Sequence, residues 1–96
     1  MPTISIIIPT FREGPFLERT LKNFDELTIP HEIIITDGGS TDETLIIARH
    51  YTDKVIVWAE PRRQTFGEAK NAGAALATGE YLVFIDADVL IPSPQG

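Results

Sequence analysis

Four short apolar runs predict four β-strands along the chain. They occupy residues 3–8, 31–36, 54–59 and 81–85 and are rich in isoleucine, valine and aromatic residues. Runs of this composition and length, without helical spacing, are typical of strands in a parallel sheet. Pro9 is expected to end the first strand, because proline cannot donate to a strand ladder. The last run is continuous and is predicted to be buried on both faces.

Two of the three helices predicted between these strands follow from local patterns, one from the spacing of apolar residues and one from a capping pattern. The first runs from Pro15 to about Glu26, since proline suits the first helical position. Its apolar side chains recur at spacings of four and three, as expected for a helix packed on a sheet: Leu17, Leu21 and Phe24. Ser40 and Glu43 have capping-box spacing and predict a second helix that reaches about Tyr51.

A third helix is predicted between the third and fourth strands. Thr65 and Glu68 have the same capping-box spacing, and Gly79 is expected to cap the helix after about Thr78. Strands and helices therefore alternate along the whole chain, which implies right-handed crossovers and a parallel sheet. The predicted fold is α/β: a three-layer α/β/α sandwich with a Rossmann-like, mainly parallel sheet.

The composition narrows the classes of function. A chain of 96 residues fits one small domain. Its formal net charge of −6 argues against a nucleic-acid partner, which would need a basic face. With no cysteine, neither a disulfide framework nor a thiolate metal site is possible. The N-terminus lacks the basic region of a signal peptide, and we expect a cytoplasmic protein, or membrane association carried by a longer parent protein.

Carboxylates follow two of the predicted strands. Asp37 follows the second, and Asp86 and Asp88 follow the fourth. The carboxyl ends of parallel strands meet at one edge of the sheet, where open α/β proteins bind their ligands. Close carboxylates repel one another, and Mg²⁺ or Mn²⁺ would neutralise them while bridging to phosphate oxygens. The alternative is that these acids end their strands and face water.

Three cations are candidates for phosphate contact from the same edge. Arg62 and Arg63 lie in the loop after the third strand, and Lys70 lies on the third helix. Each could add positive charge beside a diphosphate. The alternative is that the two arginines lie in a solvated loop and that the lysine is an exposed helical side chain. Similarly, Glu13 could bind a ligand or only favour the N-terminus of the first helix.

Three stretches together resemble one known family. IIIPTFREGPFLERTL, IIITDGGSTDET and EAKNAGAALATGEYLVFIDAD are similar in order and spacing to the family 2 glycosyltransferases of the GT-A fold. The resemblance extends from residue 4 to residue 88, which makes it far more specific than the Asp-Ala-Asp triplet alone. It implies a UDP- or GDP-linked sugar donor, a divalent metal (Mn²⁺ or Mg²⁺) at a DXD-type motif, and an acceptor of unknown kind.

The resemblance also implies site residues. Thr10 and Glu13 match positions near the nucleoside, Asp37 a base-contacting aspartate, and Lys70 a basic position. The metal is expected at Asp88 together with Asp86. The complete set expected to bind the nucleotide sugar is Pro9, Thr10, Glu13, Asp37, Gly39, Ser40, Lys70, Asp86 and Ala87.

The chain departs from the family pattern in two ways. Gly38 follows Asp37 where many members have a second aspartate, so the base contact is expected from Asp37 alone. Members also continue past the DXD strand, and the general base that deprotonates the acceptor is expected beyond Gly96. We therefore expect residues 1–91 to be the nucleotide-sugar-binding half of the domain and residues 92–96 a tail. This half should bind the donor with little or no transfer.

Three alternatives remain open. LVFIDADVLI also resembles the DxD signature of haloacid-dehalogenase-type phosphatases, in which the first aspartate is a nucleophile. That signature normally opens its domain, whereas here it comes at the end. A nucleotidyltransferase would need a Gly-rich basic loop after the first strand, and this loop has one glycine and one arginine. The third alternative is a non-catalytic half-domain that binds nucleotide or self-associates through uncovered apolar surface.

Overall fold

A computed structural model describes residues 2–86 as a four-stranded parallel sheet with three helices. The strand order is β3-β2-β1-β4, and every neighbouring pair is parallel. This confirms the predicted α/β architecture. In chain order the elements are β1 (Ile4–Thr10), α1 (Gly14–Phe24), β2 (His31–Asp37), α2 (Thr44–Tyr51), β3 (Val55–Val57), α3 (Phe66–Leu76) and β4 (Tyr81–Phe84).

Helices cover both faces of the sheet. Alternate residues of the central strands pack against α1 and α2 in one core, whose buried members are Ile6, Ile8, Leu17, Leu21, Phe24, Ile33, Ile35 and Ala48. The helix α3 contacts β1 and β2. It approaches so closely that a Cβ atom on Gly73 would lie 2.4 Å from Cγ2 of Ile7. The side chain of Ile7 alternates with its core neighbours, so α3 lies on the opposite face and completes three layers.

The register brings the ends of β1 and β2 together. Thr10 is the residue directly opposite Asp37, and both end their strands. On the other side of β1, Ile7 pairs with Phe84, and the Ile85 amide donates to the Ile7 carbonyl at 3.1 Å. The carboxyl edge of the sheet therefore presents the residues after three adjacent strands.

The strand β4 is not buried on both faces, as its apolar run had suggested. Tyr81 is 64% exposed, Leu82 43% and Phe84 41%. Within residues 2–86, β4 pairs only with β1 and forms the edge of the sheet. A continuous apolar run has the same appearance in a central strand and in an edge strand, so the prediction of burial was wrong.

Two strand boundaries also differ from the predictions. Pro9 does not end β1; it is paired opposite Thr36, and the strand continues to Thr10. The strand β3 is shorter than predicted and contains only Val55–Val57. Within residues 2–86 it pairs with the last three residues of β2 and with no other strand.

The capping-box prediction holds for α3 and is wrong for α2. Thr65 Oγ1 accepts from the Glu68 amide at 3.1 Å, and the Thr65 amide donates to Glu68 Oε1 at 3.0 Å. In α2 the helix begins at Thr44, whose amide donates to Asp42 Oδ1 at 3.1 Å. The hydroxyl of Ser40 is engaged elsewhere, because it donates to a different carboxylate at the end of β2.

Gly79 does not cap α3. The helix ends at Leu76 with extended backbone at Ala77. A Cβ on Gly79 would lie 2.7 Å from Ser5 Oγ and 2.8 Å from the Ile4 carbonyl carbon. Glycine at this position therefore allows the chain to pass close to β1 before β4 begins.

The amino edge of the sheet is fastened by one carboxylate. Glu32 accepts from Ser5 Oγ at 2.5 Å, from Lys54 Nζ, and from the Thr78 amide at 2.6 Å and its hydroxyl at 3.0 Å. Burial raises the pKa of Glu32, but the hydrogen bonds from Lys54, Ser5 and Thr78 more than offset it and lower the pKa to about 2. Among residues 2–86, no helix combines the length and the apolar character needed to cross a membrane.

Candidate functional site

A cleft of about 440 Å³ lies at the carboxyl edge of the sheet. Three connections contribute to it: loop one (residues 11–13), loop two (residues 38–43) and loop three (residues 58–65). The end of β1, the start of α3 and Asp86 complete its walls. The edge predicted from the strand-end carboxylates is therefore the edge that forms a ligand-sized cavity.

The cleft brings together part of the predicted site. Four of its lining residues were predicted to bind nucleotide sugar: Pro9, Thr10, Glu13 and Asp86. Arg63, one of the candidate cations, also lines the cleft. Gly38, one of two glycines expected to let a ligand approach the backbone, lines the cleft as well. Sequence reasoning missed the remaining lining residues, which are Phe11, Gln64, Thr65, Phe66 and Ala69.

Asp37 lies beside the cleft but does not line it. Its side chain has no exposed surface. Oδ1 accepts from Thr10 Oγ1 at 2.7 Å and from Ser40 Oγ at 2.6 Å. Oδ2 accepts from the amides of Gly39 at 2.8 Å and Ser40 at 2.6 Å. A carboxylate has about four acceptor sites, and here four protein donors occupy them.

Loop one has an unusual backbone conformation that loop two supports. Arg12 has a φ of 53°, the left-handed region that non-glycine residues rarely adopt. Its amide donates to Ser40 Oγ at 2.8 Å, and the Glu13 amide donates to Thr44 Oγ1 at 3.0 Å. In the other direction, the Gly38 amide donates to the Thr10 carbonyl at 2.9 Å. Hydrogen bonds in both directions thus join the segment from Thr10 to Glu13 to the segment from Gly38 to Thr44.

Loop one carries the aromatic wall of the cleft. The ring of Phe11 is 41% exposed. The guanidinium carbons of Arg12 and Arg63 lie 5.3 and 6.0 Å from its centroid, within cation–π range. The Glu13 side chain lines the cleft and accepts from the Phe11 amide at 3.1 Å. A ring flanked by two cations provides both a stacking surface and positive charge for an anionic ligand.

The two arginines of loop three have different surroundings. Arg62 forms a two-pronged ion pair with Glu68, at 2.8 and 2.5 Å, and its guanidinium lies 5.0 Å from the Trp58 ring centroid. The hydrogen bonds from Arg62 lower the pKa of Glu68 to about 2. Arg62 therefore supports the start of α3, whereas Arg63 faces the cleft.

Lys70 lines a second cavity of about 370 Å³, with Ile85 as one of its walls. The cavity shares Phe66 and Asp86 with the cleft. The ammonium nitrogen of Lys70 lies 4.6 Å from the Phe66 ring centroid and 5.2 Å from that of Phe84. Two aromatic faces thus hold this cation near the end of β4, where it can meet an anionic group that extends from the cleft.

Part of the predicted metal site lies outside the described residues. Ala87 and Asp88 are not among residues 2–86, whereas Asp86 is described, exposed, and lines both cavities. Within residues 2–86 there is no group of three side chains suited to hold a metal ion. A single carboxylate on the wall of such a cleft can still serve as a ligand of Mg²⁺ or Mn²⁺, because these ions bind one or two carboxylates together with substrate phosphates.

A protein-family model matches nearly the whole chain. The model described as glycosyl transferase family 2 matches residues 5–94. Validoxylamine A glucosyltransferase of Streptomyces hygroscopicus subsp. jinggangensis is 34% identical over 96 residues, covering 94% of this chain and 23% of the relative. A PGL/p-HBAD biosynthesis glycosyltransferase of Mycobacterium bovis is 37% identical over 92 residues, covering 91% of this chain and 36% of the relative.

Solved structures share the fold. A mannosyltransferase of Pyrobaculum calidifontis, in complex with GDP-Man and Mn²⁺, superposes with a TM-score of 0.80 at 32% identity over 95% of this chain and 29% of its own. Glucosyl-3-phosphoglycerate synthase of Mycobacterium tuberculosis, in complex with Mn²⁺, UDP and glucosyl-3-phosphoglycerate, gives 0.78 at 31% identity, over 97% of this chain and 36% of its own. The chain thus spans about a quarter to a third of the lengths of these proteins.

Proposed function

The chain belongs to glycosyltransferase family 2, and on that premise we propose that it binds the nucleotide-diphospho-sugar donor of a metal-dependent hexosyl transfer. The observation that carries the proposal is the cleft at the carboxyl edge of β1, β2 and β4, with Asp86 in its wall. The donor is a UDP- or GDP-linked sugar. We assign no acceptor, because acceptor binding is part of the activity of the whole protein.

The nucleoside occupies the part of the cleft that loop one forms. Thr10 and Glu13 offer polar contacts there, and the exposed ring of Phe11 offers an apolar face for the base. Nucleobases bind aromatic side chains by stacking, with little dependence on which base is present. Gly38 supplies only backbone to this wall and lies close to the Phe11 side chain, since a Cβ at this position would be 3.3 Å from Phe11 Cδ1.

The diphosphate extends towards α3 and the end of β4. Arg63 in the cleft and Lys70 in the adjoining cavity supply positive charge within a chain whose net charge is −6. Charge-assisted hydrogen bonds from such cations are the usual means of holding phosphate oxygens. Lys70 is held by two aromatic rings, so part of the cost of ordering a long side chain is met before a ligand binds.

Asp86, together with Asp88, holds the divalent cation. The proposal is supported by the solved structures described above, which contain Mn²⁺ with GDP-Man or with UDP. When bound, such a cation neutralises negative charge on a diphosphate leaving group. We assign no general base among residues 2–86, so the proposal for this part of the chain is donor binding, with little or no transfer. The cytoplasmic location stays a prediction.

Calorimetric titration tests the proposal. UDP and GDP are each titrated into the protein with and without Mn²⁺. We expect one nucleotide to bind only with the metal, and Asp86→Asn to weaken that binding at least about tenfold, as for the loss of a charged partner. Asp25→Asn is the matched control, because Asp25 is exposed and lies away from the cleft. Binding of neither nucleotide, or metal-independent binding that Asp86→Asn leaves intact, would contradict the proposal.

Self-association without catalysis is the second candidate function. It is supported by exposed apolar side chains on α3 and β4, which are Phe66, Leu76, Tyr81, Leu82 and Phe84. An exposed edge strand with apolar neighbours favours pairing with another chain. A mass that rises with concentration in sedimentation experiments, without metal-dependent release of UDP or GDP from a donor, would favour this function. A constant monomeric mass would exclude it.

A further inference from the structure

Resting on the proposed donor site, we infer that Asp37 is a positioning residue that sets the shape of the cleft without contacting the donor. Its carboxylate joins the end of β1 to loop two, and through Ser40 it fixes loop one. The family resemblance had suggested a direct base contact for this aspartate. The geometry points to a different role, because the group that would make the contact is enclosed by the protein.

The carboxylate has no capacity left for a ligand. The side chain of Asp37 is completely buried, and its two oxygens accept four hydrogen bonds. Two come from backbone amides of loop two and two from hydroxyls, one of them on Thr10 at the end of β1. A base that reached Asp37 would have to displace at least one of these donors. Gly38, the next residue, lines the cleft instead.

Ser40 transmits the effect of Asp37 to loop one. Its hydroxyl donates to Asp37 Oδ1 at 2.6 Å and accepts from the Arg12 amide at 2.8 Å. Arg12 has the left-handed φ of 53°, a conformation that persists only where surrounding contacts hold it. The residues on either side of it, Phe11 and Glu13, both line the cleft. A change at Asp37 is therefore expected to move the aromatic wall.

Asp37 also anchors the third connection of the cleft. Its carbonyl accepts from the Trp58 amide at 2.8 Å, where loop three leaves β3. Gly39 has a φ of +100°, and the space where its Cβ would lie is 3.7 Å from the Trp58 carbonyl oxygen. Asp37 thus contacts loop two and the end of β1 through its side chain and loop three through its backbone, and it reaches loop one through Ser40.

Replacing Asp37 by asparagine or by alanine distinguishes a positioning role from a direct contact with the donor. An asparagine oxygen can still accept from the two loop-two amides, and its NH₂ can donate to the hydroxyls of Thr10 and Ser40, which also have acceptor lone pairs. Asp37→Asn can therefore make all four contacts without the charge, with the two hydroxyls accepting where they donate to the carboxylate. Asp37→Ala removes them all. Ser40→Ala leaves the carboxylate in place but breaks its connection to Arg12.

Two measurements test the inference. Amide hydrogen exchange of the nucleotide-free protein measures how well the loops are held in place. Calorimetry with UDP and GDP plus Mn²⁺ measures the affinity of the site for nucleotide. We expect Asp37→Ala to speed exchange at Arg12, Gly39 and Ser40 and to weaken nucleotide binding, each about tenfold or more, as for lost buried hydrogen bonds. Ser40→Ala should do the same at Arg12 with a smaller loss of affinity. Asp37→Asn should stay within about threefold of wild type in both measurements.

The outcomes separate the inference from the proposed function. If Asp37→Ala loses affinity while exchange in loop one stays as in wild type, Asp37 contacts the ligand directly and the inference is wrong. The same holds if Ser40→Ala changes neither measurement. If wild type binds neither nucleotide, the proposed function fails, and exchange in the free protein still decides whether Asp37 holds loop one. If Asp37→Ala does not fold, Ser40→Ala and Asp37→Asn decide.

Discussion

The close approach of α3 to the sheet makes a sharp prediction about two glycines in one helix. A Cβ on Gly73 would lie 2.4 Å from Cγ2 and 3.2 Å from Cγ1 of Ile7. A Cβ on Gly67, in the first turn of α3, would meet no atom within 4 Å. We therefore expect Gly73→Ala to destabilise the protein and Gly67→Ala, its matched control, to stabilise it.

The magnitude follows from the contact distance and the surroundings of Ile7. Carbon atoms pack at about 3.5–4.0 Å, so the new methyl group would be more than about 1 Å too close. Ile7 is fully buried in the central strand and is stiff at χ1, so it cannot turn away. Overpacking of this kind costs about 1–3 kcal/mol. Replacing a helical glycine by alanine returns up to about 1 kcal/mol, and less in the first turn.

The assay compares the free energies of unfolding of the two variants. The helix-propensity gain cancels only in part, because it is smaller in the first turn, so Gly73→Ala should be about 1–2 kcal/mol less stable than Gly67→Ala. Each kcal/mol corresponds to about 4–8 °C in midpoint temperature for a domain of this size. Gly73→Ala should also weaken nucleotide binding, because α3 carries Phe66, Ala69 and Lys70 into the two cavities. If Gly73→Ala proves as stable as Gly67→Ala, the packing argument is refuted.

Three further predictions concern the amino edge, the phosphate site and the cap of α3. Because the pKa of Glu32 is lowered to about 2, its contribution to stability is complete above about pH 4.5 and is lost as the pH falls towards about 2. In urea titrations, Glu32→Gln should reduce this loss of stability at acid pH, and Glu26→Gln, an exposed control, should not. Lys70→Gln should weaken binding of UDP or GDP by about tenfold without weakening binding of the uncharged nucleoside. Lys22→Gln, the control, should change neither affinity. Equal losses of affinity for nucleotide and nucleoside would exclude a phosphate contact by Lys70. Thr65→Ala should lower the free energy of unfolding by about 1 kcal/mol, because it removes the capping hydrogen bond to α3, and an unchanged thermal midpoint would contradict this role.

The strands and the binding edge could be predicted because short stretches of the sequence are enough to indicate them. The isoleucine runs of β1 and β2 alternate between two covered faces, and a strand of that kind needs no partner information to be recognised. Once four strands alternate with helices, the parallel arrangement follows, and with it the meeting of Thr10, Asp37 and Asp86 near one edge.

The state of each side chain at that edge could not be predicted in the same way. A carboxylate after a strand has the same local pattern whether it faces a ligand or is enclosed, and Asp37 is enclosed by a hydroxyl from Thr10, 27 residues earlier. The spacing of Ser40 and Glu43 fits a capping box, but the nearby Asp37 captures the Ser40 amide and hydroxyl. Long-range partners decide between such competing hydrogen bonds.

Phe11 was missed for a related reason. A lone aromatic residue in a polar loop has no periodic pattern, and its significance lies in two cations, Arg12 and Arg63, of which one comes from a loop about 50 residues later. The exposure of β4 was missed because an apolar run does not indicate how many strands flank it. In both cases the missing information was the identity of neighbours distant in sequence.

Paramagnetic broadening by Mn²⁺ tests the central claim most directly. Amide spectra of the protein are recorded with UDP or GDP, first with Mg²⁺ and then with a small fraction of Mn²⁺. The account predicts that broadening centres on Asp86 and extends to Lys70 and Thr10, while amides at the opposite edge, such as Glu32 and Thr78, remain sharp. Broadening that is independent of nucleotide, or that centres away from the cleft, would contradict a metal-dependent donor site.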